Sequence, residues 1–348
     1  MKKFAIIGYG GMGSWHAEKA RNSDVVSLAG IYDIREERRA HAESKGIHAF
    51  ASEEEILSDP EIEFVTIATP NDFHKPIALR ALAAGKNVIS EKPVTLSSSD
   101  LEEMFEASYK AKKLFTVHQN RRWDADFLSI KEIYDSGVLG RILNIESRVQ
   151  GSHGIPGDWR KEKEHGGGMV LDWGVHLIDQ MLMLVPSKIG KLSCVCEHIT
   201  NFEVDEGFKL DLYFENGQRA RIEVETDNFI SLPRWYMRGV DGTTMINGWN
   251  LDTGKSVICN ERIDVGVVPV KTAAGLTKTM APRNEKTVRT EPVPHPTPDV
   301  HDFYRNFCRA IDGKEEQIVT HKQMMRVMKL MEAMFVSDSL GGQLVDFE

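Results

Sequence analysis

Asp172 and His176 lie four residues apart, after three consecutive glycines at 166–168. On a helix this spacing places both side chains on one face, where they could act as a base with its orienting carboxylate, a metal half-site or a surface ion pair. A metal site needs at least one more ligand, and no spaced set of His, Cys or Glu supplies it. We therefore expect a metal-free site, with Asp179 as a structural hydrogen-bonding group.

Two further segments follow short apolar runs: Ser90-Glu91-Lys92-Pro93, and Ala68-Thr69-Pro70-Asn71 with His74 close behind. The proline holds Lys92 extended and rigid at the end of its strand. In open α/β sheets ligands bind at the carboxyl ends of the strands, so both segments predict one crevice. A solvated lysine and a capped strand-to-helix turn are the alternatives.

A glycine-rich turn near the start of the chain, Gly8-Tyr9-Gly10-Gly11-Met12-Gly13, fits the pattern GxGxxG. It separates the first apolar run from the first helical stretch. In this context Gly8 permits a tight turn, Gly10 lets the backbone approach a pyrophosphate, and Gly13 lets helix pack on strand. We expect Gly8, Gly10, Gly11, Met12 and Gly13 to bind a dinucleotide at the helix N-terminus.

Asp33 lies 20 residues beyond Gly13, at the end of the second predicted strand. Its carboxylate can accept hydrogen bonds from both ribose hydroxyls and would repel a 2′-phosphate, which favours NAD over NADP. Three nearby arginines weaken that preference because an arginine can accept the phosphate. They are Arg35, Arg38 and Arg39.

The elements that must position these residues alternate between strand and helix in the first third of the chain. Strands are predicted at 4–7, 25–32, 64–68, 87–90 and 114–118, and a helix at 12–21. Two capping boxes, Ser52-x-x-Glu55 and Ser99-x-x-Glu102, each predict a helix start. Apolar strands without alternation, separated by helices, indicate a parallel sheet covered on both faces. We predict an α/β dinucleotide-binding domain of the Rossmann type over residues 1–122.

Residues 123–348 have a different pattern and predict an α+β domain with a large, mostly antiparallel sheet. A helix at 124–134 precedes strands at 142–149, 191–200, 207–214 and 218–226, the last two joined by an Asn-Gly turn. Residues 264–298 predict an extended loop, and Thr297-Pro298-Asp299 is expected to cap the helix that follows. The last helix carries a methionine stripe, which we interpret as core. We expect the C-terminal helices, at 298–338, to pack back on the first domain.

Composition narrows the class of protein. The 348 residues include 43 basic and 52 acidic side chains, a net charge of −9, which argues against nucleic acid as a partner. No apolar run approaches the roughly 20 residues that span a bilayer, and the first run is too short for a signal peptide. Four cysteines form no disulfide framework, and Cys194-x-Cys196 lacks metal or redox spacing. These features predict a cytoplasmic protein with no membrane partner.

Taken in order, the segments resemble the glucose–fructose oxidoreductase/inositol dehydrogenase (Gfo/Idh/MocA) family over nearly the whole chain. The segments described above carry this resemblance. Four more segments extend it: Ser58-Asp59-Pro60-Glu61-Ile62, Gly85-Lys86-Asn87-Val88, Arg121-Arg122-Trp123-Asp124 and Trp159-Arg160.

The resemblance implies a two-domain, NAD(P)-dependent oxidoreductase of sugars, inositols or related polyols. By that resemblance Lys92, Asp172 and His176 match the catalytic residues. Thr69, Asn71, His74, Glu91 and Lys92 match cofactor contacts, and Arg121, Trp159 and Arg160 fall where the substrate is expected. Family members are commonly dimers or tetramers, so we expect a homodimer or homotetramer.

The combined hypothesis is an NAD-dependent dehydrogenase that interconverts a secondary alcohol and a ketone. His176 would be the general base, Asp172 would orient its imidazole, and Lys92 would stabilise alkoxide character on the reacting oxygen. An NAD-dependent glycosidase is the first alternative, although such members tend to lack the lysine found here. A non-catalytic NAD-sensing regulator is the second, and it would have no reason to keep the three residues together.

Overall fold

The first sheet is a five-stranded parallel sheet, in the order β2-β1-β3-β4-β5. The computed structural model describes residues 1–262, 268–277 and 282–348. The strands are β1 (Lys2–Ile7), β2 (Val26–Tyr32), β3 (Phe64–Ile67), β4 (Asn87–Ser90) and β5 (Phe115–Val117). Every residue of β3, β4 and β5 is buried, as expected for a sheet covered on both faces. The predicted Rossmann architecture is confirmed.

The helices between these strands cover the sheet. They are α1 (Gly11–Ala20), α2 (Glu36–Ser44), α3 (Glu53–Ser58), α4 (His74–Ala83) and α5 (Ser98–Ala111). Ser52 caps α3 as predicted, accepting the N–H of Glu55. The capping box predicted at Ser99 is wrong: α5 starts at Ser98, and Ser97 caps it by accepting the N–H of Asp100. In this serine run the cap was assigned two positions too late.

The second sheet has nine strands in the order β15-β12-β11-β10-β6-β9-β8-β7-β16. Its strands are β6 (Ile142–Gln150), β7 (Ile189–Glu197), β8 (Gly207–Phe214), β9 (Arg219–Glu225), β10 (Trp235–Gly239), β11 (Gly242–Ile246), β12 (Lys255–Cys259), β15 (Val288–Pro292) and β16 (Val345–Asp346). All neighbours pair antiparallel except β6 with β9. The predicted mostly antiparallel sheet is confirmed.

Residues 264–298 differ from the extended loop that the sequence predicted. They contain a hairpin of β13 (Val270–Thr272) and β14 (Gly275–Thr277), and β15 extends the large sheet. The prediction for 264–267 and 278–281 lies outside the described residues. All three strands are largely exposed, so no buried face produced the alternation that would have revealed them.

Four further helices lie between residues 123 and 348: α6 (Ala125–Ser136), α7 (Val175–Leu184), α8 (Asp302–Ile311) and α9 (His321–Ser339). The cap predicted at 297–299 is wrong by a turn, since α8 begins at Asp302. The methionine stripe of α9 is core, with Met324, Met328, Met331 and Met334 all buried. Phe307 of α8 packs edge-on against Phe64 of β3, with ring centroids 5.5 Å apart. In the described parts of the chain, no helix is long and apolar enough to cross a membrane.

Candidate active site

The candidate site lies where the parallel strands end. Gly8 follows β1, Asp33 follows β2, Ala68 follows β3, Glu91 follows β4 and His118 follows β5. Because these strands are parallel and adjacent, their carboxyl ends meet along one edge of the sheet. Five separate strand ends therefore supply the part of the candidate site that lies at the edge of the parallel sheet.

The glycine turn after β1 requires its glycines for steric reasons. Gly8 has φ +96°, and a Cβ there would lie 2.4 Å from the carbonyl oxygen of Ala68. A Cβ on Gly13 would lie 2.0 Å from the carbonyl oxygen of Gly8, so only glycine lets α1 pack this close to β1. Gly10 is the N-cap of α1 and has no side chain to bond the first N–H groups of the helix. Outside its chain neighbours and the helix backbone, no heavy atom lies within 4 Å of the position that a Cβ on Gly11 would take. This helix end fits the pyrophosphate of a dinucleotide.

Asp33 is buried and organised by the same turn. Its carboxylate accepts the backbone N–H of Tyr9 at 2.7 Å and that of Arg35 at 2.9 Å. The guanidinium of Arg38 lies 3.4 Å from Asp33 Oδ2. Arg39 donates to the backbone carbonyl of Asp33. Thus the predicted ribose-binding residue and one candidate phosphate-binding arginine stand side by side.

The segment after β3 has one hydroxyl without a hydrogen-bond partner and two side chains that bond other loops. Thr69 leaves its hydroxyl without a partner, and Asn71 donates its side-chain amide to the carbonyl oxygen of Gly166 at 2.9 Å. His74 is fully buried, with its ring nitrogens 2.8 Å from Pro93 O and 3.0 Å from Thr69 O. The His74 side chain therefore ties the two loops together, and the cofactor contact expected of it stays a prediction.

Glu91 also points inward. Its Oε1 accepts hydrogen bonds from His16 Nε2 at 2.8 Å and His118 Nδ1 at 2.7 Å. Burial alone would raise the pKa of Glu91, but the charge of His118 and the hydrogen bonds from His118 and His16 hold it well below its usual value. Tyr304 of α8 bonds the other nitrogen of His16. The Glu91 side chain thus belongs to a buried network under the site, and the cofactor contact expected of it stays a prediction.

Lys92 projects from the same strand end toward the second domain. Its ammonium donates to Asp172 Oδ1 at 2.8 Å and to the Asp172 carbonyl at 2.9 Å. Arg160 lies 3.2 Å from the other carboxylate oxygen. Burial would raise the pKa of Asp172, but the charges of Lys92 and Arg160 hold it below its usual value. These three residues form one ion-paired group.

His176 sits beside this group in the first turn of α7, and its Nδ1 has no hydrogen-bond partner. Burial, then the charges of Lys92 and Arg121, hold its pKa well below the usual histidine value. The expected orientation of His176 by Asp172 is wrong: both Asp172 oxygens face the cations, and no hydrogen bond joins the two described side chains. The intervening π-helical turn, Val170–Gly174, breaks the regular helix that the i, i+4 argument assumed.

Asp205, which the sequence did not single out, anchors that turn. It accepts the N–H of Val170 at 2.7 Å, and a Cβ on Gly168 would lie 2.3 Å from its carboxylate. Burial raises the pKa of Asp205 to about 6. The glycines at 166–168 therefore let the side chains of Leu96 and Asp205 and the backbone of Arg160 approach closely. Asp179 forms two hydrogen bonds with Arg122, at 2.6 and 2.7 Å, which confirms its structural role.

Five aromatic or cationic side chains extend the site. The guanidinium of Arg121 lies 4.1 Å from the ring centroid of Trp173, and Trp173 lies 5.9 Å from Trp249. Arg160 lies 4.6 Å over Trp159. The structure thus brings the substrate candidates Arg121, Trp159 and Arg160 to the site. No local sequence pattern pointed to Trp249, which lies in a loop between strands.

Groups with metal-ligand geometry occur elsewhere in the described residues, not at the Asp172–His176 pair. One is His16, Glu91 and His118, which already bond one another; the other is Glu162, Glu164 and His165 near the surface. The metal-free site stays a prediction, and activity after prolonged chelation tests it.

Two family models match the chain. Residues 2–119 match the Gfo/Idh/MocA "oxidoreductase family, NAD-binding Rossmann fold", and residues 127–244 match the Gfo/Idh/MocA C-terminal domain. Together they span both halves of the site.

Relatives agree with these matches. A solved NAD-binding protein from Listeria innocua is 45% identical, with 99% of both chains covered and a TM-score of 0.95. A scyllo-inositol 2-dehydrogenase (NADP(+)) of Bacillus subtilis is 27% identical, with 95% of this chain and 92% of the relative covered. A myo-inositol 2-dehydrogenase of Thermotoga maritima is 29% identical over 64% of this chain and 67% of its own length.

Proposed function

The chain belongs to the Gfo/Idh/MocA oxidoreductase family, and from this premise we propose that it is an NAD-dependent dehydrogenase that interconverts a secondary alcohol and a ketone of a sugar, inositol or related polyol. The observation that carries the proposal is the juxtaposition of the Lys92–Asp172 ion pair with buried His176, at the edge where Gly8, Gly10 and Asp33 form a dinucleotide cradle. The inositol dehydrogenases among its relatives support the substrate class.

Each residue has a definite task in the proposed reaction. The free Nδ1 of neutral His176 takes the hydroxyl proton in oxidation and returns it in reduction. Lys92 donates a charged hydrogen bond to the reacting oxygen, and Asp172 holds the ammonium in place. The bound nicotinamide supplies the hydride acceptor or donor. Placing the base and the ammonium together supplies proximity and electrostatic stabilisation from groups that are already ordered.

Cofactor choice is part of the proposal. Asp33 is buried, negatively charged and fixed by two backbone N–H groups, which supports recognition of ribose hydroxyls and hence NAD. One relative is named as NADP(+)-dependent, and Arg38 lies where it could serve a 2′-phosphate. Binding of NADH and NADPH to the unmodified protein and to Asp33→Ala separates the two cofactors.

The substitution Lys92→Met tests the function directly. It keeps an apolar stem and removes the ammonium, so turnover on a panel of polyols, followed at 340 nm, should fall by about 10²-fold or more. NADH affinity should change little, because the glycine turn and Asp33 are untouched. His176→Ala should cost roughly 10²–10⁴-fold in turnover.

Lys209→Met is the matched control, since Lys209 pairs with two carboxylates on the large sheet, away from the site. It should keep full turnover. Near-normal turnover in Lys92→Met on the true substrate would remove Lys92 from the mechanism and favour a sensing or glycosidase role.

We also propose that the protein is cytoplasmic and works as a homodimer or homotetramer through the outer face of the large sheet. That face carries paired charges, of which Arg221 with Asp211 is partly exposed, while Arg148 with Glu223 is buried. Partly exposed paired charges on a sheet face suit association with a second copy. Light scattering in solution tests the assembly.

A further inference from the structure

An exposed tryptophan stands at the entrance to the candidate site. Trp249 lies in the loop between β11 and β12, and 52% of it is exposed. Its indole lies 5.9 Å from that of Trp173, at an interplanar angle of 41°. We call these two side chains the indole pair. An indole this exposed is not needed for burial of the core, so its position calls for another explanation.

The indole pair is continuous with the proposed catalytic residues. The ring of Trp173 lies 6.0 Å from that of His176. Trp173 also directly follows Asp172, whose carboxylate holds Lys92. A molecule whose reacting carbon lies near His176 therefore lies beside Trp173, and Trp249 stands next to Trp173 at 5.9 Å.

Two arginines hold the indole pair in place. Arg121 lies 4.1 Å from the centroid of Trp173 and 5.4 Å from that of Trp249, and Asp124 binds its guanidinium at 2.9 Å. Arg234 lies 4.8 Å from Trp249. Cations over indole faces are attracted by the ring quadrupole, so the pair is pre-ordered before a ligand arrives.

Polar groups without hydrogen-bond partners lie at and beside Arg121, which contacts the indole pair. Arg121 Nε and Asn120 Oδ1 are buried and unpartnered, and so is Gln180 Oε1, on α7 one turn after His176. Gln180 also donates its amide to the carbonyl of Arg121 at 2.6 Å, which places it beside the arginine. Buried polar groups normally find partners, and ligand hydroxyls would supply them here.

Building on the proposed function, we propose that the indole pair, with Trp249 at its outer end, binds one face of a saturated six-membered ring and makes the enzyme selective for cyclic polyols over open-chain ones. The C–H bonds on a ring face present a flat, apolar and slightly positive surface, which suits the negative face of an indole. An open-chain polyol has no such face and loses more conformational freedom on binding. Hydroxyls on the ring edge would reach the unpartnered polar groups.

Calorimetric titration of the NADH-bound protein tests this proposal. Myo-inositol, scyllo-inositol and D-glucose are the cyclic probes, and sorbitol is the open-chain probe with as many hydroxyls as myo-inositol. Trp249→Ala should weaken the cyclic probes by about three- to tenfold and leave sorbitol nearly unchanged, whereas Trp249→Phe should keep most of the preference. Phe229→Ala, at a side chain 81% exposed on another loop, should change neither.

Each outcome separates this proposal from the one on which it rests. An unchanged ring preference in Trp249→Ala, or equal weakening of ring and open-chain probes, overturns the role of Trp249 alone. Binding of the cyclic probes to the NADH-bound protein, with no turnover of any of them when NAD⁺ is supplied instead, overturns the proposed function alone. Failure of all four probes to bind overturns both.

Discussion

At the scale of single residues, the protonation of His176 should dominate the pH dependence. Burial and the charges of Lys92 and Arg121 hold its pKa well below the usual value of about 6.5. His176 is therefore neutral, and competent as a base, across the neutral range. The acid limb of kcat/KM for oxidation should lie below pH 6.5, with a plateau above it.

Two substitutions should move that limb in opposite directions. The charge of Glu91 raises the pKa of His176, so Glu91→Gln should shift the limb to lower pH. Arg121→Gln removes a charge that lowers this pKa and should shift the limb to higher pH. A limb that stays in place in both variants would show that another group titrates in the profile.

Asp33 carries the second residue-scale prediction. Asp33→Ala should weaken NADH binding by roughly 10- to 100-fold, because hydrogen bonds from ribose hydroxyls to a carboxylate are lost. NADPH binding should weaken less, which relaxes discrimination, and fluorescence titration measures both. Arg38→Ala, which removes the neighbouring cation, is the control and should retain the preference for NADH. Tighter binding of NADPH than of NADH by the unmodified protein would identify Arg38 as a phosphate ligand.

The individual site residues could be predicted from the sequence, but the residues that they contact could not. Lys92, Asp172 and His176 carry local signals, a proline neighbour and helical spacing. Their actual contacts depend on strand ends and domains far apart in the chain, as in the pair between Lys92 and Asp172, 80 residues apart. Trp249 has no local pattern at all. Spacing alone therefore placed Asp172 against His176 and missed its two cations.

At the scale of elements, the π-helical turn Val170–Gly174 controls the placement of Asp172 and depends on Asp205. The folded-state pKa of Asp205, about 6, exceeds the unfolded value of about 3.9. The folded protein thus binds more protons between these values, so the contribution of Asp205 to stability falls as pH rises from about 4 to 6 and stays at its minimum above.

The side chain in Asp205→Asn cannot ionise, so this variant does not lose the stability that Asp205 loses as pH rises, and it keeps an oxygen acceptor for the N–H of Val170. Its thermal unfolding midpoint, relative to the unmodified protein, should therefore be higher at pH 8 than at pH 5. Asp211→Asn, at an exposed strand position, supplies the comparison and should show little of this difference. A relative midpoint that is the same at both pH values would show that Asp205 is already ionised at no cost.

Strands with a buried face were the elements that the sequence predicted best. β4 and β8 match their predicted bounds, 87–90 and 207–214, because burial imposes the apolar pattern from which they were read. The parallel pairing of β6 with β9 joins strands about 75 residues apart and leaves no local trace. The exposed strand β15 left none either. Burial was visible in the sequence, whereas pairing between distant strands was not.

At the scale of the whole molecule, the dinucleotide-binding half depends on the end of the chain. Tyr304 bonds His16, whose ring also bonds Glu91 beneath the site. Burial lowers the pKa of His16 and raises that of Tyr304 well above 10, so both are neutral and the hydroxyl donates to the imidazole. Phe307 covers Phe64 of β3. The core and site network of residues 1–122, which the sequence predicts as one domain, are thus completed by α8.

The last prediction follows from this dependence. Residues 1–122 expressed alone should lack a cooperative unfolding transition and should not bind NADH with the affinity of the full chain. In the full chain, Phe307→Ala should lower the free energy of unfolding by about 3–5 kcal/mol in urea titrations, because Phe307 is fully buried. Phe335→Ala, at a side chain 40% exposed on α9, should change it far less. If residues 1–122 bound NADH as tightly as the full chain, α8 would be a passive cover, and the path from Tyr304 through His16 to Glu91 would play no part in shaping the site.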